Sequence, residues 1–111
     1  MIIEGNELVA LLSASQRTPQ QESRHPWEAG SNYFIRTVTH HYTGTLIAVY
    51  DKELVLKDAA WIADDGRFHQ AVTTGAFNEV EPFAPGEFVI IGRGAVLDAQ
   101  KISFALPASQ K

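Results

Sequence analysis

The sequence contains no cysteine. That excludes a disulfide framework, thiolate zinc, iron–sulfur clusters and a cysteine nucleophile. No apolar run approaches the roughly 20 residues that a membrane-spanning helix needs. The opening run MIIEGNELVALL carries Glu4 and Glu7 and no basic stretch, which is not the pattern of a secretory leader. The expected location is therefore cytoplasmic, with no membrane partner. Positive charge is scarce: 9 Lys and Arg face 13 Asp and Glu, for a net charge of −4. This disfavours extended nucleic acid and anionic membrane as partners, and leaves room for a local basic site. What remains is ordinary for a folded domain. The 111 residues are 45% hydrophobic and 20% charged, which argues against global disorder and fits one domain with one modest core.

Three regions follow from the pattern of residues. Residues 1–15 hold an expected helix over 6–15, with Asn6 as its cap and Leu8, Leu11 and Leu12 at helical spacing. Residues 16–31 are polar, carry Pro19, Pro26 and Gly30, and read as a linker arm. Residues 32–107 form the expected β domain. In it Tyr33–Thr39, Thr45–Tyr50 and Glu53–Lys57 make an antiparallel meander, with turns at His40–Gly44 and Asp51-Lys52. A short inserted helix is expected from Asp64 or Asp65 to Thr74, with Phe68 and Val72 on one face and Gly75 as its stop. Residues 78–87 read as a loop. Phe88–Ile91 is a continuous apolar run, expected as a strand buried on both faces. Gly92-Arg93-Gly94 is a corner, 95–98 and 102–106 close the fold, and the polar tail after Pro107 is expected to fray.

This order predicts a mainly β protein: a small five-stranded barrel with an N-terminal helix and a short inserted helix. Gly44, Leu46, Asp51, Leu54 and Leu56, followed by Val89-Ile90-Ile91-Gly92-Arg93-Gly94, resemble the two motifs of the Sm-like fold. An SH3-like barrel is the neighbouring alternative. RNA-binding Sm proteins carry an Asn after the Asp turn, and the aligned residue here is Val55. The resemblance thus implies the fold more than RNA binding. A second resemblance rests on Asp58–Phe68, DAAWIADDGRF, with Glu79–Phe83 and Ile91–Gly94. It is similar to a small uncharacterised family of phages and prophages. That resemblance implies a phage-type context, with the host cytoplasm as location. Its expected roles are a virion accessory part or a non-catalytic sponge that sequesters a nucleotide signal and so evades anti-phage defence.

No catalytic set is complete in the residues. His40 and His41 are adjacent, so in a strand they point to opposite faces and do not share a metal. No standard zinc spacing is present. His41-Tyr42-Thr43 fits the His-x-Thr motif of two-histidine phosphoesterases, but those need two motifs, and neither His25 nor His69 supplies the second. Asp64 and Asp65 are expected as helix-capping carboxylates rather than cation ligands. The expectation is no enzyme, no metal and no cofactor.

A nucleotide site is the reading the remaining residues support. Trp61, Phe68 and Tyr42 are candidates for stacking on a base. Arg93 and Arg67 are candidates for phosphate, His41 and Thr43 for polar contacts, and Arg36, mid-strand between Ile35 and Thr37, either faces solvent or points into the pocket. Each also has a plainer reading: Trp61 as core or interface, Arg93 as a corner arginine paired with a carboxylate. The expected function is a non-enzymatic binding protein that holds a small cyclic nucleotide between copies of a homo-oligomer. A virion head or tail part is the alternative, and an Sm-like RNA-binding ring a further one.

Overall fold

Alternation of apolar residues builds the first strand. Tyr33 and Ile35 turn to one face and Phe34 to the other, and all are buried. The computed structural model describes residues 25–111. The helix expected over 6–15 and the arm up to residue 24 lie outside the described residues. The strands are β1 (Asn32–Thr37), β2 (His41–Val49), β3 (Glu53–Asp64), β4 (Glu79–Pro82), β5 (Phe88–Gly92) and β6 (Val96–Lys101). Among the described residues there is a single α-helix, α1 (Phe68–Thr74), between β3 and β4, and a 3-10 turn (Arg93–Ala95) joins β5 to β6. All pairings are antiparallel, in the order β4-β3-β2-β1-β6, with β5 on β3 as well. The expected mainly β architecture with an inserted helix is present, with six strands among the described residues rather than five.

The β1–β2 turn forms earlier than the sequence pattern implies. Thr37 closes it: its Oγ1 donates to the His40 carbonyl at 2.7 Å and accepts the His40 N–H at 3.0 Å. His41, Tyr42 and Thr43 are consequently strand residues, not turn residues. The Asp51-Lys52 turn is where expected, closed by Tyr50 N–H to the Glu53 carbonyl at 2.8 Å.

β3 is the longest strand, with 12 residues. Asp58 breaks it with a left-handed φ of 52°. Before the break Glu53–Lys57 pair with β5, and after it Ala60–Asp64 pair with β4. Gly44 faces this bend across β2. A Cβ there would stand 3.2 Å from Leu56 Cβ and 3.3 Å from Ala59 Cα. The close approach explains why the residue is glycine.

The two faces of the sheet feed two cores. One gathers Tyr33, Ile35, Leu46, Leu54, Leu56, Ala59 and Ile91. The other gathers Phe34, Ala60, Ile62, Ala71, Phe77, Val80 and Ile102, with Phe104 and Leu106 against it. α1 belongs to the second. It has 7 residues, too short to persist without packing, and Ala71 is its one buried residue. Its cap position is Arg67, with no side-chain cap hydrogen bond. Asp64 instead accepts the Gly66 N–H at 2.9 Å and makes the turn before the helix. Gly75 stops α1 as expected, at φ 75°.

Other expectations are corrected. Residues 78–87 contain β4. β5 is not buried on both faces: Ile91 is buried, whereas Phe88 is 60% and Ile90 70% exposed. Residues 102–106 are not a strand, but Ile102 and Phe104 fill the second core. The tail does not fray. Lys111 and Val80 exchange backbone hydrogen bonds at 3.0 and 3.1 Å, which covers the outer edge of β4. Residues 25–31, expected as free arm, are held too. Trp27 packs edge-on to Tyr33 at 5.2 Å, and Gly30 N–H bonds to the Leu46 carbonyl at 2.7 Å. Among the described residues no helix is long and apolar enough to cross a membrane.

Gly75 and Gly86 separate conformational strain from crowding. Both have positive φ, 75° and 81°. A Cβ at Gly75 would meet Phe104 Cδ1 at 2.5 Å, while one at Gly86 would meet open space. Gly86→Ala is expected to cost about 1 kcal/mol from the left-handed backbone alone. Gly75→Ala should cost about 2–4 kcal/mol, because overpacking adds roughly 1–3. Urea denaturation of both variants checks the difference.

Candidate binding surface

Strand alternation divides the expected site residues between the two faces. Tyr42 and Trp61 are direct cross-strand neighbours in the β2–β3 register, so they share a face. His40 and Phe83 join them. His40 stacks on Tyr42 at 6.2 Å and leans on Trp61 at 5.7 Å, and Phe83 stacks on Tyr42 at 6.3 Å. Trp61 is 38% exposed. These rings form a partly open platform beside a shallow depression of about 340 Å³ that Glu81 and Pro82 also line. On the other side of Trp61 a second depression of about 370 Å³ is lined by His41, Asp64, Asp65 and Gly66 among others. The sequence reading missed His40 and Phe83 as platform residues. Their signal was their chain position: His40 stands two residues before Tyr42, and Phe83 directly follows the strand that pairs with Trp61.

The opposite face carries charge. Arg36 sits across from His41 on β2 and from Asp98 on β6. Its Nε donates to Asp98 Oδ1 at 2.8 Å, and its Nη2 donates to the other carboxylate oxygen. Its guanidinium lies over the Phe68 ring, 4.8 Å from the centroid. The fork-shaped pairing raises the pKa of Arg36 and holds Asp98 below the usual carboxylate range, both chiefly through the side-chain hydrogen bonds. His41 Nδ1 stands 2.9 Å from both carboxylate oxygens of Asp65. Arg36, His41 and Phe68 therefore already have partners within the chain. Phe68 is 48% exposed and serves as a base for Arg36 rather than joining Trp61.

Three expected site residues are elsewhere. Thr43 is fully buried, with its Oγ1 unpartnered in the core, because it alternates inward between His41 and the bend. Arg67 is exposed at the start of α1. Arg93 is a corner residue: its Nη1 donates to the Tyr50 carbonyl at 2.7 Å, tying the 3-10 turn to the β2–β3 turn. Its backbone meets Lys52, and the adjoining pair is Glu53 with Gly92, eight residues before Trp61 and on the other side of the Asp58 bend. One copy thus unites Tyr42 and Trp61 but does not bring Arg93 to them. Among the described residues no group of acidic and histidine side chains forms a metal-holding cluster. No family model, curated protein or solved structure matches the chain.

The Arg36–Asp98 pair makes a pH prediction. A carboxylate whose native pKa is depressed contributes stability above its unfolded value near about 3.9, and loses it as pH falls through the native value. Asp98→Asn should therefore flatten the loss of stability below about pH 4 relative to wild type. At pH 7 it should cost no more than about 1 kcal/mol, since the pair is surface-exposed. Denaturant titrations of both proteins from pH 7 to 2 check this.

Proposed function

We propose that the protein is a non-enzymatic binding module, a small barrel of SH3-like or Sm-like type that takes a small cyclic nucleotide on the platform of Trp61, Tyr42, His40 and Phe83. The barrel reading is supported by the path of the chain. β5 and β6 follow each other through the 3-10 turn, yet β5 pairs with β3 and β6 with β1, so the sheet curls round the first core. The observation that carries the ligand reading is the platform: rings that share one face and keep open surface, which is what base stacking uses.

Charge narrows the ligand. Glu81 and Asp64 border the depressions beside Trp61 and disfavour a polyphosphate. A cyclic phosphodiester carries fewer charges and fits better. Within one copy Arg36 is held by Asp98, and Arg93 lies at the far end of β3. The phosphate-facing cation is therefore Arg67 or comes from a neighbouring copy, which agrees with a homo-oligomer that sequesters its ligand intact. A phage context and a role against host defence are carried by the resemblance of Asp58–Phe68 alone. A virion accessory part is the second reading, favoured by the bare edge of β5.

Native mass spectrometry with a panel of cyclic di- and trinucleotides and short RNAs tests the proposal. A fixed number of intact ligands per assembly is expected. Trp61→Ala should weaken binding about tenfold to a hundredfold, the roughly 1–3 kcal/mol of one stacked base. Ligand of altered mass would show hydrolysis. An assembly blind to every nucleotide would overturn the reading in favour of the virion part.

A further inference from the structure

Among the described residues the sheet has three outer edges, and two are protected. Lys111 covers β4 by backbone pairing at Val80. β6 carries Asp98 and Lys101, charges of the kind that blunt an edge. β5 has neither device. Its sequence is Phe-Val-Ile-Ile-Gly, and among the described residues it pairs with β3 alone.

The direction of its free hydrogen-bonding groups can be derived. Arg93 N–H donates to the Lys52 carbonyl at 2.9 Å, and the register continues through Glu53↔Gly92 and Leu54↔Ile91. Hydrogen-bonded residues alternate along an antiparallel pair. Val89 and Ile91 therefore turn their N–H and C=O toward β3, while Phe88, Ile90 and Gly92 turn theirs outward. The side chains of Phe88 and Ile90 are also the exposed ones, at 60% and 70%.

We infer that β5 is a self-association edge: two copies pair β5 to β5 about a two-fold axis through Ile90. In that register Ile90 meets the partner's Ile90 and Phe88 meets the partner's Gly92, so every outward-facing backbone group is satisfied. The space above Gly92 is open, so a phenyl ring from across the seam can cover it. The same register sets Glu87 opposite the partner's Arg93, at both ends of the seam. The strand is thus complementary to itself in charge, shape and backbone direction, as a two-fold contact requires. The platform of Trp61 lies at the other end of β3, outside this seam. The contact is therefore separate from any ligand-bearing one and stands without ligand.

The test uses ligand-free, full-length protein. Because the chain has no cysteine, Ile90→Cys gives a clean cross-linking probe, with Val38→Cys, exposed in the β1–β2 turn, as its control. Mild oxidation should give a covalent dimer for Ile90→Cys and none for Val38→Cys. In sedimentation the wild type should be a dimer. Glu87→Arg should raise its dissociation constant at least about tenfold. Glu87 is exposed, so its reversal leaves the fold intact, which circular dichroism confirms. A monomeric wild type would overturn the inference, and so would a dimer indifferent to Glu87→Arg or an Ile90→Cys protein that does not cross-link. A wild type that is monomeric but dimerises once residues 1–24 are removed would assign the edge to that segment instead. Nucleotide binding plays no part in these readouts, so their failure is separable from failure of the ligand proposal.

Discussion

The bend of β3 at Asp58 is the constraint on which the other elements depend. A straight strand of 12 residues would present one pair of edges to one pair of neighbours. Placing Asp58 at φ 52° lets β3 hold β5 with its first half and β4 with its second, while β2 runs along both. A left-handed conformation at a non-glycine residue carries a cost. Burial on both faces of the sheet offsets it, since fully burying one Leu or Phe stabilises by about 1.5–3 kcal/mol. Leu56 before the bend and Ala59 and Ala60 after it are all buried. Small residues just past Asp58 allow Gly44 and its strand to come within van der Waals contact there.

The same two-sided burial explains where chemistry is displayed. A sheet with a core on each face has little free face left. Exposed function is confined to strand ends and edges. Tyr42, Trp61 and His40 sit where β2 and β3 run past the first core, and Phe83 follows the short β4 there. Arg36 and His41 occupy the matching strand ends on the second-core side, where Phe34 already packs edge-on to His41 at 5.9 Å. Arg36 is paired with Asp98 and His41 with Asp65, so both side chains are held at the rim of the apolar layer. A ring platform on one side and a paired-charge layer on the other are thus two outcomes of one alternation.

Much of this was legible in the sequence. Alternation in Tyr33–Thr37, the Asp51-Lys52 turn and the Gly75 stop all act locally, and the structure keeps them. What misled was decided by distant parts of the chain. The β1–β2 turn depends on the Thr37 hydroxyl rather than on Gly44, and shifting the strand start to His41 sends Thr43 into the core. Phe88-Val89-Ile90-Ile91 has the composition of a doubly buried strand, but no described layer lies over Phe88 and Ile90. Residues 108–111 are polar and look free, yet they are fixed by the unpaired backbone of Val80, which no local pattern in the tail encodes.

The spread of the expected site residues within one copy has a related cause. In the sequence Trp61, Arg93 and Arg67 group by chemical type, as a base-stacking ring with phosphate-binding cations, and Arg36 is a mid-strand candidate beside them. Type does not fix distance. The 3-10 corner that needs Arg93 to hold the Tyr50 carbonyl is at one end of β3, and the ring platform is at the other. Arg36 meets Asp98 because β6 returns to pair with β1, a contact 62 residues away in sequence. What survives is the part carried by adjacent register positions, Tyr42 beside Trp61. The proposed recognition is therefore led by stacking, with charge as a limit on the ligand rather than its main anchor. On the nucleotide reading proposed above, Glu81 and Asp64 beside the aromatic rings disfavour highly charged phosphates. That is why the ligand proposed is a compact diester with an exposed base face rather than a polyphosphate.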